Sequence, residues 1–369
     1  MPVMTRQPRS RKLSFWSSLP PFLGGKRKLA PLIFREIDRL IPRRHWNGLT
    51  FYDAFLGGGS ASLFAKMQSF NVICTDIAER SIIVGKALIE NSRVRLRWED
   101  IVRLAADDNA SPGLIESEMT PNIFTRSQGR FLDRAFRIAG ETADESKAAL
   151  IKLLAIRTAL LCHPMSQVRS GTMHRVSTGE FESITESCVG HFVSGMRLTR
   201  PERLWALAQA INGGVCEGRG RVIKQSTFEA LPEIDAAVMY ADPPYEQSMA
   251  YEREYKVIDK MVEGLTRSPS PFSLKGGAAH IDTLLEAASH VPVVIVSFGN
   301  VATTAGDLEA KMLRLGRKAR TLEIQYQHMP AVATAEKKEK NRELLVIGWD
   351  EAAVAGLVDG RKHVERQVH

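Results

Sequence analysis

Residues 236–245 run Ala-Ala-Val-Met-Tyr-Ala-Asp-Pro-Pro-Tyr, an apolar stretch followed by an acid, two prolines and a tyrosine. The apolar part is short enough for a buried strand, and the prolines force the chain out of the sheet into an extended turn. Open α/β sheets bind ligands at the carboxyl ends of their strands. Asp242 and the carbonyl of Pro243 offer acceptors to a planar amino group, and the ring of Tyr245 offers a stacking face. The stretch therefore predicts a site for an aromatic amine, or else a strand end with a stiff turn.

A second predicted strand leads into a run of glycines. Residues 50–55 are followed by Gly57, Gly58 and Gly59, and then by apolar residues at helical spacing. Strand, glycine turn and helix in this order form a cradle for a nucleotide-like ligand, because glycines let the backbone approach the ligand beside the helix N-terminus. The spacing differs from Gly-x-Gly-x-x-Gly, which favours another adenosine ligand over a nicotinamide cofactor.

Two charged residues flank this turn in sequence, Lys26 before it and Asp76 after it. Asp76 ends a predicted strand at 71–76, 23 positions after Asp53. An acid in this place commonly accepts hydrogen bonds from ribose hydroxyls, and the alternative is a cap for the following helix. Lys26 follows a glycine pair at the start of a predicted helix, where it can approach an anionic or carboxylate ligand. The spacing of an ATPase phosphate-binding loop is missing.

The alternation of strands and helices lapses at about residue 101 and resumes at about 215. The intervening segment begins with polar turns, contains an apolar helix at 146–162 and continues into a polar stretch that includes Arg169 and Arg175. Such side chains contact base edges and phosphates, although each alone suits an ordinary loop. The later strands are predicted at 220–224, 236–239, 291–298, 320–326 and 343–349. The pattern predicts an α/β fold interrupted by an inserted module.

Charge and cysteine content restrict the functional class. The 369 residues have a formal net charge of +8, with eleven Lys or Arg against two acids in residues 1–44 and eleven against five in residues 147–224. This asymmetry favours a polyanionic partner, nucleic acid above all. Four widely separated cysteines indicate neither a disulfide framework nor a metal site, so we expect a cytoplasmic protein without a bound metal. No apolar run approaches the length of a membrane span.

Four elements together resemble the adenine-N6 DNA methyltransferases related to the GATC-modifying adenine methylases. They are the Gly-Gly-Lys entry, Phe55-Leu56-Gly57-Gly58-Gly59 as a Phe-x-Gly-x-Gly motif, the acid Asp76, and Asp242-Pro243-Pro244-Tyr245. Their order along residues 19–349 is that of the family. The resemblance implies a doubly wound, mostly parallel seven-stranded sheet with an antiparallel edge hairpin. It also implies S-adenosylmethionine as the methyl donor and double-stranded DNA as the substrate.

The resemblance also implies roles for individual residues. Asp242, Pro243 and Tyr245 would be catalytic: the first two accept hydrogen bonds from the target amine, and the tyrosine stacks on the base flipped out of the duplex. Arg169 and Arg175 would contact DNA. The cofactor-binding residues would be Phe22, Lys26, Asp53, Phe55, Gly57, Gly59, Asp76, Phe228 and Asp242.

Three positions depart from the family pattern. Phe22 stands where tryptophan usually precedes Gly-Gly-Lys, and this exchange preserves an aromatic ring. Thr227 stands where an aspartate often faces the adenine of the cofactor, so an ionic acceptor is lost. Residues 179–182 lack the usual Phe-Asn-Val-Pro, which points to altered target recognition.

The expected organisation is a basic flexible tail at 1–18, a discontinuous catalytic domain at 19–100 and 215–350, an inserted target-recognition domain at 101–214 and a C-terminal tail at 351–369. The expected activity is site-specific adenine-N6 methylation, by a protein that is either solitary or the partner of a restriction endonuclease. The alternatives are methylation of cytosine N4, an RNA base or a protein glutamine, and an inactive DNA-binding relative.

Overall fold

The computed structural model covers most of the chain. It describes residues 14–22, 25–106, 110–162, 199–244, 251–265, 270, 272, 279–299, 305–325 and 342–367. Tyr245, Arg169 and Arg175 lie outside the described residues. The chain divides into two compact units. The first comprises Met1–Pro21, Lys86–Cys216 and Glu254–Arg267, and the second comprises Phe22–Gly85, Glu217–Arg253 and Ser268–His369.

A twisted sheet of seven strands forms the centre of the second unit, as far as that unit is described. Its strands are β1 (Thr50–Asp53), β2 (Asn71–Asp76), β3 (Gly220–Lys224), β4 (Val238–Ala241), β5 (Val293–Gly299), β6 (Lys318–Gln325) and β7 (Arg342–Trp349). Their spatial order is β3-β2-β1-β4-β5-β7-β6. All neighbours are parallel except the pairs that β7 makes with β5 and β6. The fold class predicted from the sequence is confirmed.

The central strands are apolar on both faces. All four residues of β4 are buried, and β5 is buried from Val293 to Phe298. Parallel strands covered by helices on both faces lose the alternation of polar and apolar residues, which explains these continuous apolar runs. The order of the strands reverses between β1 and β4. Such a reversal opens a crevice at the carboxyl ends of the two strands, so it fixes where a ligand can bind.

Helices connect the strands and make up most of the other unit. They are α1 (Ala30–Leu40), α2 (Ser60–Met67), α3 (Glu79–Val84), α4 (Trp98–Ala105), α5 (Leu114–Met119), α6 (Arg126–Glu141), α7 (Glu145–Cys162), α8 (Pro201–Asn212), α9 (Thr227–Ala230), α10 (Tyr251–Glu263), α11 (Ala279–Ala287), α12 (Ala305–Arg314) and α13 (Glu351–Gln367). The segment predicted as a C-terminal tail thus forms α13. A π-helical turn, Gly85–Glu90, follows α3.

The first unit is mainly helical in its described part. Its longest helix, α7, is apolar over most of its surface and buries Leu150, Leu153 and Leu154. The only acid buried in α5 is Glu116, which accepts hydrogen bonds from Arg126 at 2.8 Å and from Arg130 at 3.0 Å. None of the helices in the described residues is long and apolar enough to cross a bilayer.

Candidate active site

The carboxyl ends of β1 and β4 lie side by side. Asp53 is the register partner of Tyr240, and the backbone N–H of Ala54 donates to the carbonyl of Tyr240 at 2.9 Å. The glycine turn at 57–59 follows β1, and Asp242 follows β4. Because parallel strands end at the same edge of a sheet, the two sequence motifs meet at the crevice where the strand order reverses.

Two left-handed glycines shape the turn between β1 and α2. Gly57 has φ +50° and Gly59 has φ +76°, a region that side chains with a Cβ disfavour. Asp76 at the end of β2 holds this turn: its Oδ2 accepts from the N–H of Gly57 at 2.9 Å and its Oδ1 from the N–H of Ala78 at 2.8 Å. The acid predicted at this place therefore fixes the glycine backbone in position.

Asp53 lies almost completely buried at the end of β1. The hydroxyl of Ser62 donates to its Oδ2 at 2.7 Å, and the N–H of Phe55 donates to its Oδ1 at 3.4 Å. Burial raises the pKa of Asp53 from 3.8 to about 7, against the lowering effect of these hydrogen bonds and with smaller contributions from Asp242 and Asp76. Near neutral pH this carboxyl group is balanced between its two protonation states.

The substitution Asp53→Asn is expected to remove a pH dependence of folding stability. The raised pKa favours the folded state at acidic pH, and this contribution disappears as the pH rises from about 4 to about 7. The difference amounts to at most about 4 kcal/mol. Denaturant titrations should therefore show the free energy of unfolding of the variant rising, relative to the native protein, by up to that amount between about pH 4 and about pH 8. Parallel pH profiles for the two proteins would contradict the assignment; Asp235→Asn, at an exposed position, is the control.

Lys26 is buried and binds two carboxylates. Its Nζ lies 3.0 Å from Oδ1 of Asp242 and 3.2 Å from Oε1 of Glu343, and the lysine is only 3% exposed. Glu343, near the start of β7, is completely buried and accepts a hydrogen bond from the hydroxyl of Ser297 on β5. Neither Glu343 nor Ser297 was predicted from the sequence. The signal was an acid at the head of the otherwise apolar run 343–347.

The hydroxyl groups of Thr75, Tyr52 and Thr227 form a hydrogen-bonded chain beside β1. Thr75 donates to the carbonyl of Ala54 at 3.0 Å, Tyr52 lies 2.8 Å from Thr75, and Thr227 lies 2.7 Å from Tyr52. Because the Thr75 proton is used on Ala54, Tyr52 donates to Thr75 and Thr227 donates to Tyr52. Burial raises the pKa of Tyr52 to about 12, so the chain stays protonated. Because its proton is used on Tyr52, the Thr227 oxygen can only accept further hydrogen bonds. The aspartate that the family pattern has at this position would also be an acceptor.

Phe55 and Phe228, two of the predicted cofactor-binding residues, both contact the ring of Phe272. The rings of Phe228 and Phe272 stack with centroids 5.6 Å apart and an interplanar angle of 5°. Phe55 contacts Phe272 edge-on at 5.3 Å. Phe22 lies elsewhere, against the glycine turn, where a Cβ on Gly58 would come within 3.5 Å of its Cβ. Phe272 was missed because the surrounding Ser/Pro-rich sequence predicts only a linker.

These residues fit the proposed cofactor. S-adenosylmethionine is an adenosine ligand with a positive sulfonium group, and the turn offers close backbone approach together with the carboxylates of Asp53, Asp76 and Asp242. The acceptor oxygen of Thr227 suits an amino group. The roles expected for Tyr245, Arg169 and Arg175 concern residues outside the described part of the chain.

Comparison with known proteins gives three findings. A family model described as D12 class N6 adenine-specific DNA methyltransferase matches residues 22–261. The chain is 26% identical over 337 residues to the Type II methyltransferase M2.HphI of Haemophilus parahaemolyticus, covering 88% of this chain and 96% of that protein. It is similar, with a TM-score of 0.34 and 8% identity, to the crystal structure of the SAM-dependent methyltransferase from Agrobacterium tumefaciens; the match covers 87% of this chain and spans 62% of that one. Because the family match extends over more than half of its residues, the chain belongs to the D12 class of N6 adenine-specific DNA methyltransferases.

Proposed function

We propose that this protein transfers a methyl group from S-adenosylmethionine to the N6 amino group of adenine within a specific sequence of double-stranded DNA, by direct in-line transfer. The main support is that the glycine turn and Asp242 follow the adjacent carboxyl ends of β1 and β4, and that, in addition to burial, the charge of Asp242 contributes to the raised pKa of Asp53 at the end of β1. Membership of the D12 class agrees with the reaction. When bound, S-adenosylmethionine supplies an electrophilic methyl group on a sulfonium centre.

The residues around the glycine turn would hold the cofactor. Asp76 would accept from the ribose hydroxyls, since a carboxylate that binds two backbone N–H groups still has acceptor capacity. Lys26 would lie near the methionine end, because its ammonium group complements a carboxylate. The cradle would consist of Phe22, Asp53, Phe55, Gly57, Gly59 and Phe228.

The substitution Asp76→Ala is expected to lower the affinity for S-adenosylmethionine by about 10²-fold, because it removes charged acceptors worth about 1.5–3 kcal/mol each and releases the glycine turn. Titration calorimetry with S-adenosylmethionine and S-adenosylhomocysteine measures the loss, and both ligands should lose affinity because both contain the ribose. DNA affinity without cofactor is the internal control. An Asp76→Ala protein that binds both ligands normally would rule out the ribose contact.

Asp242 and Pro243 would prepare the target amine for reaction. The lone pair of an exocyclic amine is delocalised into the purine ring. Hydrogen bonds from its two protons to the Asp242 carboxylate and the Pro243 carbonyl would favour a pyramidal nitrogen and orient its lone pair. Tyr245 would stack on the extruded base and replace the stacking lost from the duplex. This scheme needs no covalent enzyme intermediate.

The basic residues would provide affinity for DNA. Arg169 and Arg175 would contact phosphates and base edges, within a target-recognition domain at 101–214 that interrupts the catalytic domain at 19–100 and 215–350. The basic tail at 1–18 would add phosphate contacts. Binding of this kind weakens steeply with salt concentration. We also propose a cytoplasmic protein that is either solitary or the partner of a restriction endonuclease.

The activity can be tested by expressing the protein in cells whose own DNA methylation has been removed, and sequencing their DNA for modified bases. N6-methyladenine at one recurrent sequence is the expected result, with cells expressing Asp242→Ala as the control. N4-methylcytosine at such a sequence would instead assign the alternative base. If DNA is unmodified although the purified protein binds S-adenosylmethionine, an RNA base or a protein glutamine becomes the substrate to test. Failure to bind the cofactor would favour the inactive DNA-binding relative.

A further inference from the structure

Glu343 is a buried charge that directly precedes the apolar part of β7. It begins the run Glu343-Leu344-Leu345-Val346-Ile347, all of it buried in β7. Removing a carboxylate from water is costly unless strong partners compensate. Two such partners are present: the ammonium of Lys26 at 3.2 Å and the hydroxyl of Ser297. The charge of Glu343 is therefore explained by its interactions with Lys26 and Ser297 and not by the packing of the strand.

The direction of β7 brings Glu343 to the active edge of the sheet. β7 runs antiparallel to β5, and Glu343 pairs in register with Gly299 at the carboxyl end of β5. Ser297 lies two residues earlier, on the same face of the sheet. β4, which leads into Asp242, is the other neighbour of β5. Glu343 thus reaches the same edge of the sheet as Asp242, and Lys26 joins the two.

We propose that Glu343 is a positioning residue for methyl transfer, which acts by holding the ammonium of Lys26 and thereby fixing the orientation of the Asp242 carboxylate. Asp242 and Glu343 share the ammonium at similar distances, 3.0 and 3.2 Å. Without the charge of Glu343, Lys26 moves onto Asp242 and competes with the target amine for its oxygens. This inference rests on the proposed role of Asp242 as the acceptor of that amine.

The substitution Glu343→Gln tests the inference, since it keeps the shape and a hydrogen-bonding group for Ser297 but removes the charge. We expect kcat to fall by about ten- to a hundredfold, as for a small misplacement of a reacting group, with little change in KM for DNA. At high pH, kcat should fall as Lys26 loses the proton with which it fixes Asp242. In Glu343→Gln this alkaline limb of the pH profile of kcat should move to lower pH, because loss of a neighbouring anion lowers the pKa of the Lys26 ammonium group. Glu343→Asp, which keeps the charge, should restore the position of that limb.

Other ionisable groups near Lys26 do not account for such a shift. Among the described residues, Asp242 contacts Lys26 directly, and Asp53 and Tyr240 interact electrostatically with Asp242. The two aspartates are unaltered in the variant, and burial raises the pKa of Tyr240 well above its usual range. Removing the Glu343 charge would lower the pKa of Tyr240 towards that range, but phenol ionisation can be recognised by its ultraviolet difference spectrum. The limb that moves without this spectral change belongs to Lys26.

Glu36→Gln is the matched control for a purely structural loss. Glu36 is also a buried glutamate of the second unit, 3% exposed, and binds Arg39 at 2.7 Å and Arg320. This variant should lose stability while keeping the native kcat per folded molecule and the native alkaline limb. Ser297→Ala is a second arm if Glu343→Gln folds poorly. It keeps the charge but loses the hydroxyl that orients it, so we expect a smaller fall in kcat with the limb unmoved.

The outcomes separate this inference from the proposed function. Native kcat and an unmoved limb in Glu343→Gln, or the same changes in Glu36→Gln, would overturn the positioning role. If Asp242→Ala is inactive while Glu343→Gln behaves as the native protein, only this inference fails. If Asp242→Ala retains full activity, the proposed role of Asp242 fails and the positioning role fails with it.

Discussion

Replacing Asp242 with alanine is expected to lower the rate constant of methyl transfer by about 10³-fold, the upper range for loss of one preorganised polar group. Asp242 follows β4 at the crevice and is bound to the buried Lys26 at 3.0 Å. Its proposed partner is the reacting amine, whose orientation and pyramidal geometry it favours. Because it does not act on phosphates, affinity for DNA should remain nearly intact.

Single-turnover methylation with radiolabelled cofactor measures the rate constant, and fluorescence anisotropy with a DNA duplex measures binding. Asp235→Ala is the matched control, since this exposed aspartate lies in the loop that precedes β4, before Val238. It should behave as the native protein. Unchanged turnover in Asp242→Ala would defeat the catalytic assignment, and a parallel loss of DNA affinity would show that the effect comes from binding.

Replacing Lys26 with methionine is expected to lower the free energy of unfolding by about 3–5 kcal/mol, because it leaves the buried carboxylate of Glu343 and the half-buried carboxylate of Asp242 without their cation. Methionine has a similar length, so the loss reflects charge more than volume. Glu343, which is buried, and Asp242, whose side chain is 19% exposed, would then repel each other with little screening by water. The Lys26→Met/Glu343→Gln double variant should recover part of the loss, because it removes one of the two uncompensated charges.

Urea titrations of the two single variants and the double variant give the coupling energy. Lys28→Met, two residues along the chain and exposed, is the control and should change stability by less than about 0.5 kcal/mol. A stability loss in Lys26→Met no larger than that of Lys28→Met would contradict a stabilising role for the ion pairs of Lys26 with Asp242 and Glu343. A double variant less stable than either single variant would contradict the charge argument.

The sequence predicted the sheet because its strands are short apolar runs separated by clear turn signals. The strand predicted at 71–76 is Asn71–Asp76 and the strand predicted at 220–224 is Gly220–Lys224. The meeting of the glycine turn with Asp242 also followed from sequence, since both motifs end parallel strands. The ends of some strands were predicted less accurately. The strand predicted at 236–239 lies two residues later in the structure, at Val238–Ala241.

The missed residues depend on partners far away in sequence. Glu343 lies 317 positions after Lys26, and its place before the apolar run 344–347 does not reveal this partner. The sequence predicted the loss of an ionic acceptor at Thr227, but it did not reveal the hydrogen bond to Tyr52 that leaves the Thr227 oxygen as a neutral acceptor. Such effects need the relative positions of several strands, which a periodic pattern does not contain.

The antiparallel course of β7 also affects when the site becomes complete. A ribosome makes Lys26 and the glycine turn early, but it makes Glu343 more than 300 residues later. A nascent chain that has already made Asp242 therefore contains all the methyl-transfer motifs without the carboxylate that shares the ammonium. The charges on Lys26, Asp242 and Glu343 therefore come together only after β7 has been synthesised.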